Sequence, residues 1–321
     1  MSAALGAGPR PCNVAAMNPP NPLTQAGRLF VIFMAPSLGG LVPLALAIAQ
    51  PAMATHFGGG AEGTLLARLL LSAPSLMIIV GTSLGGYAVT RFGLRPSLLV
   101  ALAVYGVAGG AGLALNDFPS LLATRLILGV AGGAALTIYL SLAAEFYTGE
   151  ARARVLGFAV ACASLFGLLA LAVGGRLVDW GGWRAPCSLY LLAFVVFPVA
   201  WAVVRLPRQS GGSGGVRMPP LAVLRLVARF WPVYLVLITL SIGTFMPSAG
   251  GPFLLQANGI TGATEAGYIL SVGSVSAIFT AAAYGYVRRW ISDWGLFFAI
   301  PALMGLGLAI APAFDNWMAL L

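Results

Sequence analysis

Arg125 is the residue in this chain whose type and setting most plainly call for chemistry. It opens the run Arg125-Leu-Ile-Leu128-Gly129-Val-Ala-Gly132-Gly133, inside a long apolar stretch. At about 100° per residue, Arg125, Gly129, Gly132, Leu136 and Tyr139 return to one broad helical face. A guanidinium directed into hydrocarbon near a helix centre costs roughly 2.5 to 3.5 kcal/mol on insertion scales. Two placements avoid that cost: a polar cavity or gate, or snorkelling of the long stem toward the membrane boundary. Tyr139, with Tyr234, Thr239 and Thr244 later in the chain, completes a set of candidate substrate contacts. Tyrosines join apolar contact to a hydrogen bond, and threonines can line a modestly polar path, with plain packing as the competing role for each.

Other chemistries are poorly supplied. The chain has no lysine, which removes Schiff-base mechanisms, and its single histidine, His56, stands alone at an expected connection. Cys12, Cys162 and Cys187 make neither a metal spacing nor a disulfide framework. There is no dinucleotide fingerprint, no phosphate loop and no zinc-protease histidine pair, so neither a cofactor nor a metal is expected, and the chain reads as a non-enzyme. Gln50 and Glu265 fall near helix ends, where a vestibule contact competes with an ordinary helix-end role.

The elements that must position these residues follow from composition. Of 321 residues 60% are hydrophobic and 8% charged, against roughly 25% charged in soluble domains. That polar supply cannot cover a water-facing surface, and the apolar residues recur in stretches near the roughly 20 residues that cross a bilayer as a helix. Nine spans are expected, at Leu29–Gln50, Leu65–Tyr87, Leu98–Leu115, Leu121–Ala144, Val155–Val173, Pro186–Val204, Trp231–Ser248, Ala266–Tyr286 and Gly295–Ala313. These runs are apolar on every side, whereas barrel strands would alternate, so the fold class is all-α and polytopic.

The net charge of +9 reflects 17 arginines, 13 of which fall on one side if the amino terminus is cytoplasmic. That positive-inside bias sets the orientation and calls for no nucleic-acid surface. Four segments follow: a cytoplasmic tail over 1–28, a first six-helix bundle over 29–204, a cytoplasmic linker over 205–230 and a partial second bundle over 231–321. The linker carries arginines, Ser210-Gly-Gly-Ser-Gly-Gly215 and Pro219-Pro220, a composition suited to solvent.

Glycines punctuate the spans. Gly81 with Gly85, Gly106 with Gly110, and Gly129 with Gly133 are spaced four apart, as flat surfaces for a neighbouring helix require. Gly174 and Gly175 allow a kink or close packing near the end of the fifth span, ahead of Arg176-Leu-Val-Asp179-Trp180-Gly-Gly-Trp183-Arg184. Between the second and third spans, Gly86-Tyr-Ala-Val-Thr90-Arg91-Phe-Gly93-Leu-Arg95-Pro96 supplies a turn with basic anchors. After the fourth span come Glu145, Glu150, Arg152 and Arg154.

Six spans, a basic linker and a second set of spans, with these motifs at the helix ends, resemble the major facilitator superfamily of secondary transporters. The resemblance implies two helical halves with a small-molecule path between them. It makes Gly86, Thr90, Arg91, Gly93 and Arg95 a cytoplasmic gating loop, with Glu145, Arg152 and Arg154 as its charged partner patch. Thr90 stands where the family commonly has an aspartate, which removes a charge-assisted lock. The glycine pair of the fifth span is similar to the antiporter motif of drug exporters, though Ala170 and Leu171 replace its usual Gly and Pro. Gly285 to Asp293 repeats the gating loop weakly.

The function implied is alternating-access transport in an inner or plasma membrane, with amphiphile efflux as one outcome and uptake or exchange as another. A proton or another ion would be the coupling partner, and no residue fixes which. The second half reaches only its third span, so the expectation includes a truncated, drug-efflux-like member, or a product that is nonfunctional or depends on assembly with another chain.

Overall fold

The computed structural model describes residues 22–204 and 229–271, with isolated positions between 295 and 306. The tail before Pro22, most of the linker, the connection over 285–293 and most of the last two expected spans lie outside the described residues. Helices α1 (Pro22–Leu44), α2 (Gln50–His56), α3 (Gly60–Phe92), α4 (Leu94–Gly110), α5 (Phe118–Phe146) and α6 (Gly149–Gly181) come first. A 3-10 segment over Ala185–Leu191 runs into α7 (Leu192–Val203), and α8 (Trp231–Ala257) opens the second half. Helix α9 is described over 263–271. The architecture is all-α: a first bundle of six helical segments long and apolar enough to cross a membrane, followed by the beginning of a second bundle.

The first expected span needs correction. Instead of one helix over Leu29–Gln50, α1 starts at Pro22, stops at Leu44 and passes through a turn into the short α2. Pro51 is the cause: a proline ring collides with the carbonyl four residues back and brings no N–H. That carbonyl, of Ala47, instead accepts the Gln50 backbone N–H at 3.4 Å and the Gln50 side-chain amide at 3.1 Å. Residues 45–50 are all buried, the condition under which non-helical backbone is tolerated in a membrane protein. Helices α3, α5, α6 and α8 also run past the apolar cores that hydropathy detects.

Local chemistry sets the other boundaries. Gly93, at φ +94°, makes the turn from α3 to α4 in one residue, and its carbonyl accepts the Ser97 hydroxyl at 2.7 Å. Asp117 caps α5 by accepting the Ser120 N–H at 3.0 Å, with Pro119 in the first turn. We call the end of the bundle where α1 begins the near face; it also carries Gly93, Tyr147 and Gly149. The far face carries α2, Gly110–Asp117, Gly181–Ala185 and the turn between α8 and α9.

Helix α1 lies against α5, α6 and α7, while α3 pairs with α5, and α4 bridges α5 and α7. The α3–α5 seam is set by glycine. A Cβ on Gly85 would meet Ala134 Cα at 2.7 Å, one on Gly81 the Val130 backbone at 2.8 Å, one on Gly129 Pro74 Cα at 2.8 Å and one on Gly133 Ile78 Cα at 2.9 Å. Backbone therefore rests on backbone along this seam. Outward, α3 and α6 present large exposed apolar side chains such as Leu76, Ile79, Phe158 and Leu165, a surface that needs hydrocarbon around it.

Candidate functional site

Arg125, 1% exposed, sits about two turns into α5 from the far face, within a buried cluster on four segments. Its Nη2 donates to Gly109 O at 3.3 Å and to Cys187 Sγ at 3.6 Å, and the guanidinium lies 5.1 Å from the centre of the Tyr190 ring. Tyr190 donates its hydroxyl to Val42 O at 3.1 Å, and Tyr105 donates to Leu38 O at 2.6 Å. The two tyrosine rings meet edge to face at 5.9 Å. Nη1 has no hydrogen-bond partner among the described residues, and no carboxylate is bonded to Arg125 there.

A buried cation without a carboxylate needs another source of negative potential. Gly109 is in the last turn of α4, where unpaired carbonyls form the negative end of the helix dipole. Val42 belongs to the last turn of α1, and the Tyr190 hydroxyl satisfies one of its end carbonyls. Arg125 is thus held by one helix-end carbonyl, a thiol and an aromatic face whose own hydroxyl is spent on a second helix end. Gly112 is what lets it fit, since a Cβ there would reach Cys187 Sγ at 2.7 Å and would strike Arg125 Nη2 itself.

The face expected to carry Arg125, Gly129, Gly132, Leu136 and Tyr139 is divided among neighbours. Gly129 faces α3, Gly132 meets Val42 and Tyr105, and Leu136 fills the space beside Gly39 of α1. Tyr139 is buried at 9% exposure, 14 residues beyond Arg125, which is roughly 21 Å along the helix. Tyr234 and Thr239 are exposed on the near-face half of α8, and the Thr239 hydroxyl donates to Leu235 O at 3.0 Å. The Thr244 side chain lies outside the described residues. The structure therefore does not bring the five candidate contacts together.

On the near face, Arg95 donates from Nη2 to Trp201 O at 2.8 Å and stacks 4.7 Å from the Trp201 ring, tying the α3–α4 turn to the end of α7. Thr90 donates to Tyr87 O of its own helix at 2.8 Å, Arg91 is exposed, and a Cβ on Gly86 would meet only Thr137 at 3.9 Å. Arg154 pairs with Glu150 at 2.8 Å in an exposed i,i+4 bridge, a geometry worth a few tenths of a kcal/mol, about 0.3–0.5. Glu145 and Arg152 are exposed close by. Arg28 covers the Phe146 ring at 4.3 Å, and beside it burial pushes the Tyr147 phenol above its ordinary pKa, partly offset by the Arg28 charge.

Of the remaining glycines, Gly106 would meet the Phe194 ring at 2.8 Å, and Gly110 would meet Leu191 Cδ2 at 2.6 Å. A Cβ on Gly174 would make only an ordinary contact with Ala45 O at 3.8 Å, whereas one on Gly175 would meet the second half, 2.9 Å from Thr264 Cα. A cavity of about 520 Å³ opens among α3, α4 and α5, lined by Leu84, Phe92, Val100, Val130 and Ile138, with Ser97 as its polar member. Its walls are almost wholly apolar, part exposed (Leu84, Phe92, Val100) and part buried (Ile138), so it offers no recognition for a polar solute.

Sequence reasoning missed Tyr190, Cys187, Gly109 and Gly112 as the surroundings of Arg125, with Tyr105 packed behind Tyr190, and it read the segment holding Asp179 as a turn or a family-type motif without a partner for the carboxylate. Tyrosines in mid-span carried a signal, because a buried phenol needs an acceptor.

The model of the Major Facilitator Superfamily matches residues 29–321. No curated protein matches the sequence. Among solved structures, the chain is similar to a D-xylose–proton symporter with TM-score 0.60 and 18% identity, covering 81% of this chain and 69% of that one. A bacterial homologue of the human lysosomal transporter Spinster, inward-facing and unoccupied, gives TM-score 0.70 at 15% identity, covering 85% and 64%. The inward-open xylose transporter XylE from E. coli gives TM-score 0.52 at 18% identity, covering 79% and 69%. At these identities the likeness is one of fold, and this chain spans about two thirds of their lengths. With the superfamily match running from the first span to the last residue, and with six spans leading into a second bundle, the chain belongs to the Major Facilitator Superfamily.

Proposed function

We propose that the protein is a secondary transporter that moves a small molecule by alternating access, with the near face toward the cytoplasm. The observation that carries this reading is where the halves touch. Their described contacts cluster at the far face: Asp179 with the start of α9, Gly175 with Thr264, Arg68 over the Phe253 ring at 5.3 Å and Arg176 over the Tyr268 ring at 5.4 Å. Toward the near face, Trp231, Tyr234, Leu235 and Ile238 of α8 are exposed. Halves that, among the described residues, meet at the far face and leave the near-face end of α8 exposed fit one of the two states that alternating access requires.

Six of the ten described arginines lie on the near face, namely Arg28, Arg91, Arg95, Arg152, Arg154 and Arg229, which favours the cytoplasmic assignment. Arg125 supplies the buried charge, and its Nη1, without a partner among the described residues, gives a substrate or a moving helix a donor to satisfy. Two readings of substrate stand side by side. The apolar cavity among α3, α4 and α5 suits an amphiphile leaving the cell, and two of the similar structures are named for xylose.

The test is flux into proteoliposomes holding the full chain, with ethidium as the amphiphilic cation and D-xylose as the sugar. Saturable uptake of one of them, accelerated by the same compound preloaded on the other side, is the expected result. Flux that rises linearly with concentration, or sustained ion current, would replace the carrier with a pore.

A further inference from the structure

Among the described residues, the two halves are joined by a helix cap supplied across the molecule. Asp179, in the last turn of α6, accepts the Ala263 N–H on Oδ1 at 3.1 Å and the Thr264 N–H on Oδ2 at 2.8 Å. These are the first N–H groups of α9, among the four that a helix leaves without internal acceptors. Gly262 occupies the capping position, since its carbonyl accepts the Ala266 N–H at 3.0 Å, and glycine has no side chain to cap with. Helix α9 therefore starts without a cap of its own and takes one from a residue 84 positions earlier.

The surroundings press the two backbones together at that point. A Cβ on Gly175 would meet Thr264 Cα at 2.9 Å, and one on Gly267 would meet the Leu171 carbonyl carbon at 3.4 Å, so glycine lies on both sides of the seam. A carboxylate at a helix N-terminus gains from the dipole as well as from charge-assisted bonds. Among the described residues the near face shows no equivalent cap: Thr90, in the last turn of α3, spends its hydroxyl on Tyr87 O within its own helix.

We propose that Asp179 is the latch of the far-face gate. By capping α9 from the other half it holds the far side closed, and each transport cycle has to uncap α9 before that side can open. The inference rests on the alternating-access reading and adds to it the residue that sets the resting state. Losing the cap should raise the open-to-closed ratio at the far face about tenfold, the scale of an N-cap or dipole interaction.

The experiment measures two spin-label distances in the full chain, reconstituted in lipid, with Cys12 and Cys162 replaced and the buried Cys187 retained. One pair, at exposed Trp180 and Gln256, reports the far face, and the other, at exposed Ala151 and Val233, reports the near face. Asp179→Asn keeps the shape but turns one of the two acceptors into a donor facing the N–H it formerly bound. Gly262→Ser gives α9 its own cap and leaves Asp179 in place, so it tests the same idea in a chain whose α6 is untouched. The expected result is a longer far-face population in both variants, with Asp179→Glu close to the unmodified chain. Unchanged far-face distances in Asp179→Asn and Gly262→Ser would overturn the latch, and saturable flux in the same vesicles would leave the transport reading standing. A far face that opens while the near-face pair stays fixed would support the latch and count against alternating access.

Discussion

Replacing Gly85 with alanine tests whether backbone contact between α3 and α5 holds the first bundle together. An ideal Cβ at Gly85 would stand 2.7 Å from Ala134 Cα and 2.9 Å from Ala134 O. Non-bonded carbons rest at about 3.5–4.0 Å, so the helices must part by roughly an ångström. Both obstructing atoms are backbone, which leaves no rotamer to absorb the strain. Overpacking of this kind costs about 1–3 kcal/mol, and the better helix propensity of alanine returns about 0.5–1 kcal/mol.

Gly174→Ala is the matched control. Its nearest neighbour is Ala45 O at 3.8 Å, an ordinary contact, so alanine gains the propensity and loses nothing. The two variants should differ by about 1–3 kcal/mol, and at roughly 2–4 °C per kcal/mol that separates their melting midpoints by roughly 2–12 °C. The assay heats each detergent-solubilised variant at one ramp rate and follows the monodisperse fraction by size exclusion. Equal midpoints, or a higher one for Gly85→Ala, would refute the claim that the α3–α5 spacing is set by this glycine.

Three further outcomes are expected. Arg125→Met fills similar volume without a charge, so stability should hold or rise, as it often does when a buried ion is replaced by an apolar residue, while flux is lost; a large drop in melting midpoint with flux retained would make Arg125 a structural residue. The Asp117 carboxyl is held below its ordinary pKa by the Ser120 side chain and N–H. Its capping contribution is therefore full above the unfolded value of about 3.9 and is lost as pH falls through the lower folded value; amide exchange at Ser120 should accelerate on acidification, and Asp117→Asn should flatten that dependence. Thr90→Asp adds a charge to the last turn of α3 near Arg91 and Arg95, so near-face cysteines should become less accessible to an impermeant thiol reagent, with unchanged accessibility the contrary result.

How much was legible can be judged residue by residue. Most of the first-bundle spans were readable because hydropathy and length are properties of about 20 consecutive residues. The break after Leu44 was missed although its cause, Pro51, was in view, because the run stays apolar across it and only the turn geometry distinguishes one helix from two. The four-residue spacing of Gly81 with Gly85, and of Gly129 with Gly133, was visible, while the identity of their mutual partner was not. Gly174 and Gly175 are adjacent in sequence, yet the first has open contact and the second presses on α9, since neighbouring positions on a helix point 100° apart.

Sequence alone determined that this chain folds as membrane-crossing helices, because the backbone in lipid has to satisfy itself within each segment and a scarcity of charge leaves no other environment. It also marked Arg125 as a charge requiring an explanation. The explanation came from tertiary structure, which brought Gly109 and Cys187 to that guanidinium from 16 and 62 residues away and set Asp179 on a helix that starts 84 residues later. Composition and periodicity describe what one segment needs; which other segment meets that need is decided only when the helices pack.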